Sequence, residues 1–224
     1  MAHPLDRPAW SALRTTQRAL AIGEGPALRY DPDYAIFAAT DGDGASLAAL
    51  GALTRATGPA IVLQKDALPL VPGTRVEKYR MGVQMVAEAL IGGADIDFLE
   101  LGDADAPEML ALATLTEPGP FFRRTHRLGD FIGIRQDGRL VAMAGERMKP
   151  EGFAEVSGVC THPDWRGRGY AGALMRVVAA RIAARGEVPF LHAYADNRGA
   201  IALYVSLGFR VRCGVHVTVL VGAD

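Results

Sequence analysis

Long apolar runs are missing from this 224-residue chain, and so are clusters of Lys and Arg. No stretch approaches the roughly 18 consecutive apolar residues that a membrane-spanning helix requires. The opening Met1-Ala-His-Pro-Leu-Asp-Arg lacks the basic-then-apolar order of a secretory signal. No membrane partner is expected, and the cytoplasm is the expected location. With a formal net charge of −1 and no basic run, nucleic acid is not expected as a partner either. Cysteine is scarce: Cys160 and Cys213 are the only two, and neither has a neighbour at metal-ligand spacing. Reduced thiols, rather than a disulfide or a zinc site, are therefore expected, and no metal. No internal repeat or low-complexity segment appears. Apolar residues make up 50% of the chain, enough for a sizeable core in one large domain or two small ones.

The later part of the chain reads as an ordered series of elements. Asp95 to Leu101 has the pattern of a strand. Asp105-Ala-Pro107-Glu108 has an N-cap Asp, a Pro in the first turn and a Glu placed as in a capping box, so a helix should begin there and stop before Pro118-Gly119-Pro120. Phe131 to Gln136 and Arg139 to Gly145 flank Asp137-Gly138, the dipeptide of a tight hairpin turn. Phe153 to Cys160 is the next strand. After it, Ala171, Leu174, Met175, Val178 and Ile182 recur at helical spacing, with Gly186 as a C-cap. A strand over Pro189 to Tyr194, a helix over Arg198 to Leu207 and a strand over Val211 to Val221 complete the series. Earlier, Tyr34 to Ala39 and Ala60 to Gln64 read as strands around a helix near Ala45 to Leu53, and Val83 to Leu90 reads as helical. Gly92-Gly93 marks the expected boundary between a smaller N-terminal α/β lobe (residues 1–94) and a second domain (residues 95–224). The first segment fits a degenerate copy of the second, a lid over it, or a structural lobe without chemistry.

The most informative stretch runs from Val159 through Arg166-Gly167-Arg168-Gly169-Tyr170-Ala171. It is a strand end feeding a glycine-rich turn that opens a helix. Glycines let successive N–H groups converge, and the helix N-terminus adds about half a positive charge, an arrangement that holds phosphate. The P-loop pattern fails, because Tyr170 and Ala171 stand where Lys and Ser/Thr would be needed. Gly167, Gly169 and Gly172 satisfy the dinucleotide spacing G-x-G-x-x-G, but they sit too far from the strand, and too little chain follows for a βαβ series. A nucleotide-dependent oxidoreductase has only that spacing in its favour.

Arg166, Gly169 and Ala171 spell R-x-x-G-x-A, and Asn197, Ala200, Leu203, Tyr204, Gly208 and Phe209 spell N-x-x-A-x-x-L-Y-x-x-x-G-F. Together the two motifs resemble the GNAT superfamily of acyl-CoA N-acyltransferases, with likeness to its glycine N-acyltransferase and histone acetyltransferase branches, over roughly residues 95–220. The resemblance implies a mixed, mostly antiparallel sheet flanked by helices, and transfer of the acetyl group of acetyl-CoA to a primary amine. It implies that Val159, Cys160 and Thr161 present main-chain groups to the thioester and pantetheine, that Arg166, Gly167, Arg168, Gly169, Tyr170 and Ala171 hold the pyrophosphate, and that Asn197 bonds the cosubstrate. Glu155, eleven residues before Arg166, stands where relatives place a general base, and Tyr204 where they place the acid that protonates the leaving thiolate. A catalytically silent acyl-CoA sensor or scaffold is the alternative.

Other residues read more plainly. Cys160 is a small buried hydrophobe, and His162 and His192 are loop or strand hydrogen-bonders. Phe121-Phe122-Arg123-Arg124 sets two cations beside aromatics, so Arg123 and Arg124 are candidates to bind an acceptor carboxylate. Whether two copies pair is left open by the sequence.

Overall fold

A computed structural model describes residues 3–90 and 96–223. In chain order the elements are α1 (Pro8–Arg14), β1 (Ala21–Ile22), β2 (Ala27–Tyr30), β3 (Ala38–Thr40), α2 (Gly44–Thr57), β4 (Ala60–Gln64), β5 (Thr74–Ala87), β6 (Leu99–Leu101), α3 (Ala106–Thr116), β7 (Phe131–Gln136), β8 (Arg139–Glu146), β9 (Phe153–Thr161), α4 (Tyr170–Ala184), β10 (Val188–Tyr194), α5 (Arg198–Ser206) and β11 (Phe209–Gly222). An eight-stranded sheet has the order β4-β11-β5-β10-β9-β8-β7-β6, and β1-β2-β3 form a small second sheet. Within the large sheet every pair is antiparallel except β9 with β10. The mixed, mostly antiparallel sheet flanked by helices is thus as the sequence implied.

Local signals explain most of the later elements. Asp137 (φ 50°) and Gly138 (φ 78°) make the left-handed turn between β7 and β8. Asn197 caps α5 by accepting from Ala200 N at 3.1 Å. Along α4, Leu174, Met175, Val178 and Ile182 are buried against Ala154, Val156 and Leu191 on one face of the sheet, and Leu203 and Tyr204 of α5 pack on the same cluster. The opposite face is covered by the first elements of the chain, where Leu5, Leu13, Leu28 and Leu63 pack on Met148, Phe190 and Val215.

One expected element is of the other kind, and among the described residues the strands expected over Tyr34 to Ala39 and Asp95 to Leu101 are confined to Ala38–Thr40 and Leu99–Leu101. Val83 to Leu90, expected as a helix, is the end of β5, which runs to Ala87. Gln84 and Met85 are both fully buried because the sheet is covered on each side here. That double burial removes the in-out alternation by which a strand is recognised, leaving Met, Gln, Ala and Glu to suggest a helix. The Gly92-Gly93 boundary lies outside the described residues. The sheet itself spans both segments, since β11 is inserted between β4 and β5.

Candidate active site

Beyond β9 the chain turns through His162, whose Nδ1 accepts from Asp164 N at 3.3 Å, and reaches the glycine loop. Gly167 (φ +77°) and Gly169 (φ +79°) hold left-handed conformations, and a Cβ at either would meet nothing within 4 Å. Gly169 is the N-cap of α4 and has no side chain to cap it. The first N–H groups of α4, at Tyr170, Ala171 and Gly172, therefore lack intrahelical acceptors and face an open cradle at the positive end of the helix dipole. Arg168 stacks over Trp165 at 4.3 Å, while the Arg166 Nε lies 3.4 Å from Thr161 O.

Next to this loop the sheet comes apart. Parallel pairing of β9 with β10 stops at Glu155 and Phe190, although β9 continues to Thr161 and β10 to Tyr194. A cavity of about 1010 Å³ occupies the opening, with Val159, Cys160 and Thr161 on one lip and His192, Ala193 and Tyr194 on the other. A bulge in β9 accompanies the split. Its register against β8 passes from Met143–Cys160 to Gly145–Ser157, so Gly158 and Val159 share the space of one residue and lie outside the ladder on both sides. Only glycine suits position 158, where φ is +64° and a Cβ would lie 2.8 Å from Phe131. The bulge takes Val159 out of the residue-by-residue register of β9 with β8, and the buried Thr161 Oγ1 has no hydrogen-bond partner among the described residues. Cys160 is buried, and desolvation pushes its thiol up to about 11, which keeps it an inert hydrophobe.

Glu155 is fully buried, and its lone pairs are spoken for. Arg147 Nε and Nη2 donate to its two oxygens at 2.9 and 2.8 Å, Met148 N approaches at 3.3 Å, and His192 Nδ1 lies 2.7 Å from Oε1. Burial alone would raise the carboxyl's pKa, but the charge and bonds of Arg147, joined by His192, outweigh it and hold Glu155 ionised well below the usual carboxylate range. Of this group, Arg147 and His192 line the cavity, and Glu155 does not. Gln84 fixes the imidazole from the other side. Its Oε1 accepts from Arg212 Nη1 at 2.8 Å, so its Nε2 donates to Leu5 O at 2.8 Å and to His192 Nε2 at 3.0 Å. Neutral His192 thus carries its proton on Nδ1.

Tyr204 and Asn197 line the same cavity as the glycine loop, and burial raises the Tyr204 hydroxyl's pKa. The fold therefore gathers Val159, Cys160, Thr161, Arg166 to Ala171, Asn197 and Tyr204 around one space and sets Glu155 behind its floor. Arg123 and Arg124 are not brought there: Arg123 Nη2 pairs with Asp33 at 2.7 Å, Arg124 Nε lies 3.8 Å from the same carboxylate, and neither lines the cavity. Sequence reasoning missed Arg147, Gln84 and the joint arrangement of His192 with Glu155. It also missed Phe37, Ile61 and Leu63, which wall the cavity from the N-terminal segment. These residues meet only through strand neighbours far apart in the chain, and no local spacing signals them.

The FR47-like protein family model matches residues 131–219. A crystal structure of a GNAT-family acetyltransferase from Novosphingobium aromaticivorans is 46% identical, covers 100% of both chains and superposes with a TM-score of 0.94. A GCN5-related N-acetyltransferase from Kribbella flavida, at 19% identity, covers 97% of this chain and 96% of its own with a TM-score of 0.66, a likeness of fold. No curated protein sequence matches the chain. With an opened β9–β10 pair beside an uncapped helix N-terminus, and a relative this similar over its whole length, the chain belongs to the GNAT family of acetyltransferases.

Proposed function

We propose that the protein is an acetyl-CoA-dependent N-acetyltransferase acting on a primary amine of a small molecule, amino acid or peptide by direct attack. The observation that carries this reading is the cavity running from the α4 N-terminus through the gap between β9 and β10 to the face covered by the N-terminal segment. The residues present fit the cosubstrate: a glycine cradle for the pyrophosphate, unpaired strand edges and the orphaned Thr161 hydroxyl for pantetheine. Acetyl-CoA supplies the acyl group as a thioester, and as the C–N bond forms the C–S bond breaks and coenzyme A leaves as the thiolate.

The chain's own groups then divide the work. The Val159 N–H, at the bulge beside the gap, donates to the thioester carbonyl oxygen as charge grows there. Tyr204 holds a proton for the departing sulfur, and its raised pKa keeps that proton in place until a strong base develops. An alkylammonium has a pKa of about 10.4, so a base must take its proton. Glu155, with every lone pair engaged, acts through His192, orienting its Nδ1–H and strengthening Nε2 as an acceptor. For His192 to accept the proton at Nε2, the Gln84 amide must turn away.

Titration calorimetry with acetyl-CoA, followed by thiol release against a panel of amino acids, polyamines and peptides, tests the assignment. Binding with release supports the enzyme. Binding without release across the panel would favour an acyl-CoA sensor, and absence of binding would overturn the reading.

A further inference from the structure

The part of the cavity beyond the thioester gap has a definite chemistry. Its walls are apolar: Phe37, Ile61 and Leu63 from the N-terminal segment face Val215 and Val217 of β11. Into this apolar space comes a guanidinium that is only half used. Arg147 spends the Nε–Nη2 side of its fork on Glu155, and its Nη1 has no hydrogen-bond partner among the described residues. Its guanidinium carbon lies over the Phe37 ring, 4.6 Å from the centroid, and its side chain is 11% exposed. Glu155 locks it from behind, so little rotational freedom would be lost when a ligand binds its open edge. The Nη1–Nη2 edge of a guanidinium is a second fork matched to the two oxygens of a carboxylate.

We infer that Arg147 anchors a carboxylate of the acceptor, making the acceptor an α-amino acid with a large apolar side chain. This rests on the acetyltransferase reading above. The carboxylate sits on the open edge of Arg147, the side chain lies along Phe37, Leu63 and Val215, and the amine of the same molecule is left pointing to the β9–β10 gap. Arg123 and Arg124, occupied by Asp33, take no part.

The test is steady-state thiol release at saturating acetyl-CoA with L-phenylalanine, its decarboxylated analogue phenethylamine, and L-phenylalaninamide. The wild-type protein should favour the acid over both others on the order of 10-fold or more in kcat/KM, the range of a charged hydrogen bond. Arg147→Lys, which keeps a cation against Glu155, should raise KM for phenylalanine by a similar factor. The ratio of its kcat/KM for phenylalanine to that for phenethylamine should fall by that factor, whatever change in turnover the two amines share. The double variant Arg123→Ala/Arg124→Ala should change none of these. Equal use of the three amines by the wild type would overturn the carboxylate anchor and leave the acetyltransferase standing, whether or not Arg147→Lys folds. No thiol release with these three amines, beside release with another member of the panel, would overturn the carboxylate anchor alone, and no release across the whole panel would overturn both.

Discussion

His192 and Glu155 illustrate how a residue's role is set by its partners. A buried carboxylate with four donors is a poor proton acceptor, because every lone pair it would offer is stabilised as it stands. The two substitutions should therefore separate. Glu155→Gln strips the counter-charge from buried Arg147, and removing one partner of a buried pair typically costs about 3–5 kcal/mol of stability, read by denaturant unfolding. His192→Gln should leave the fold largely intact but lower kcat/KM on the order of 10²-fold. An undiminished kcat/KM would move the base elsewhere, and Glu117 is the one carboxylate among the described cavity-lining residues. The depressed pKa of Glu155 also fixes a pH dependence. Its folded value lies below the ordinary one, so its contribution to stability is complete above about pH 4.3 and drains away as pH falls further, while the unfolded chain takes up the proton first. Wild-type melting temperature should drop more steeply below that pH than that of Glu155→Gln. Tyr204→Phe, with no charge to strand, should reduce kcat while sparing the affinity for acetyl-CoA. An unchanged kcat would make Tyr204 a packing residue of the α4–α5 cluster.

At the scale of elements, legibility follows the range of the interactions that define each one. The β7–β8 turn at Asp137-Gly138, the α5 cap at Asn197 and the α4 stripe are local, so their sequences announce them. The bulge in β9 is also local in its cause, but it shows only as Gly158 in an otherwise regular strand, with no outward sign that Val159 leaves the ladder. β5 is the opposite case, a strand covered on both faces whose composition suggests a helix. The glycine loop and the bulge should respond differently to added bulk. Gly169→Val imposes a β-branched residue on a φ of +79° and fills the cradle, so acetyl-CoA affinity should collapse while the fold persists, as calorimetry and circular dichroism would show. Unaltered affinity would remove the loop from the phosphate site. Gly158→Ala instead meets Phe131 at 2.8 Å and an unfavourable φ. It should cost about 1–3 kcal/mol of stability, and its effect on rate should fall on kcat through the displaced Val159 N–H.

For the molecule as a whole, the least legible feature is the one that joins its halves. The motifs lie after residue 130, yet the cavity wall they face comes from Phe37, Ile61 and Leu63. The coupling runs through buried polar bonds as well as apolar packing. Tyr30 Oη donates to Gln17 Oε1 at 2.6 Å, and Gln17 Nε2 donates to Arg147 O at 2.8 Å, so the first lobe holds the segment that carries Arg147. The sheet makes the dependence stronger. β11 has β4 on one side and β5 on the other, and both belong to the first ninety residues. A fragment beginning at residue 95 would leave β11, fourteen residues of strand, with no neighbour on either edge and would expose Phe190, Val215 and Met148, which the N-terminal residues cover. Backbone groups and apolar surface stranded together are costly enough to exceed the few kcal/mol by which a domain of this size is stable. The full chain should therefore unfold in one cooperative transition, with circular dichroism and tryptophan fluorescence coincident, and the fragment should show no such transition and no acetyl-CoA binding. A fragment that melts cooperatively and binds acetyl-CoA would show that the motif-bearing half folds by itself, with the N-terminal lobe acting only as a wall for the acceptor.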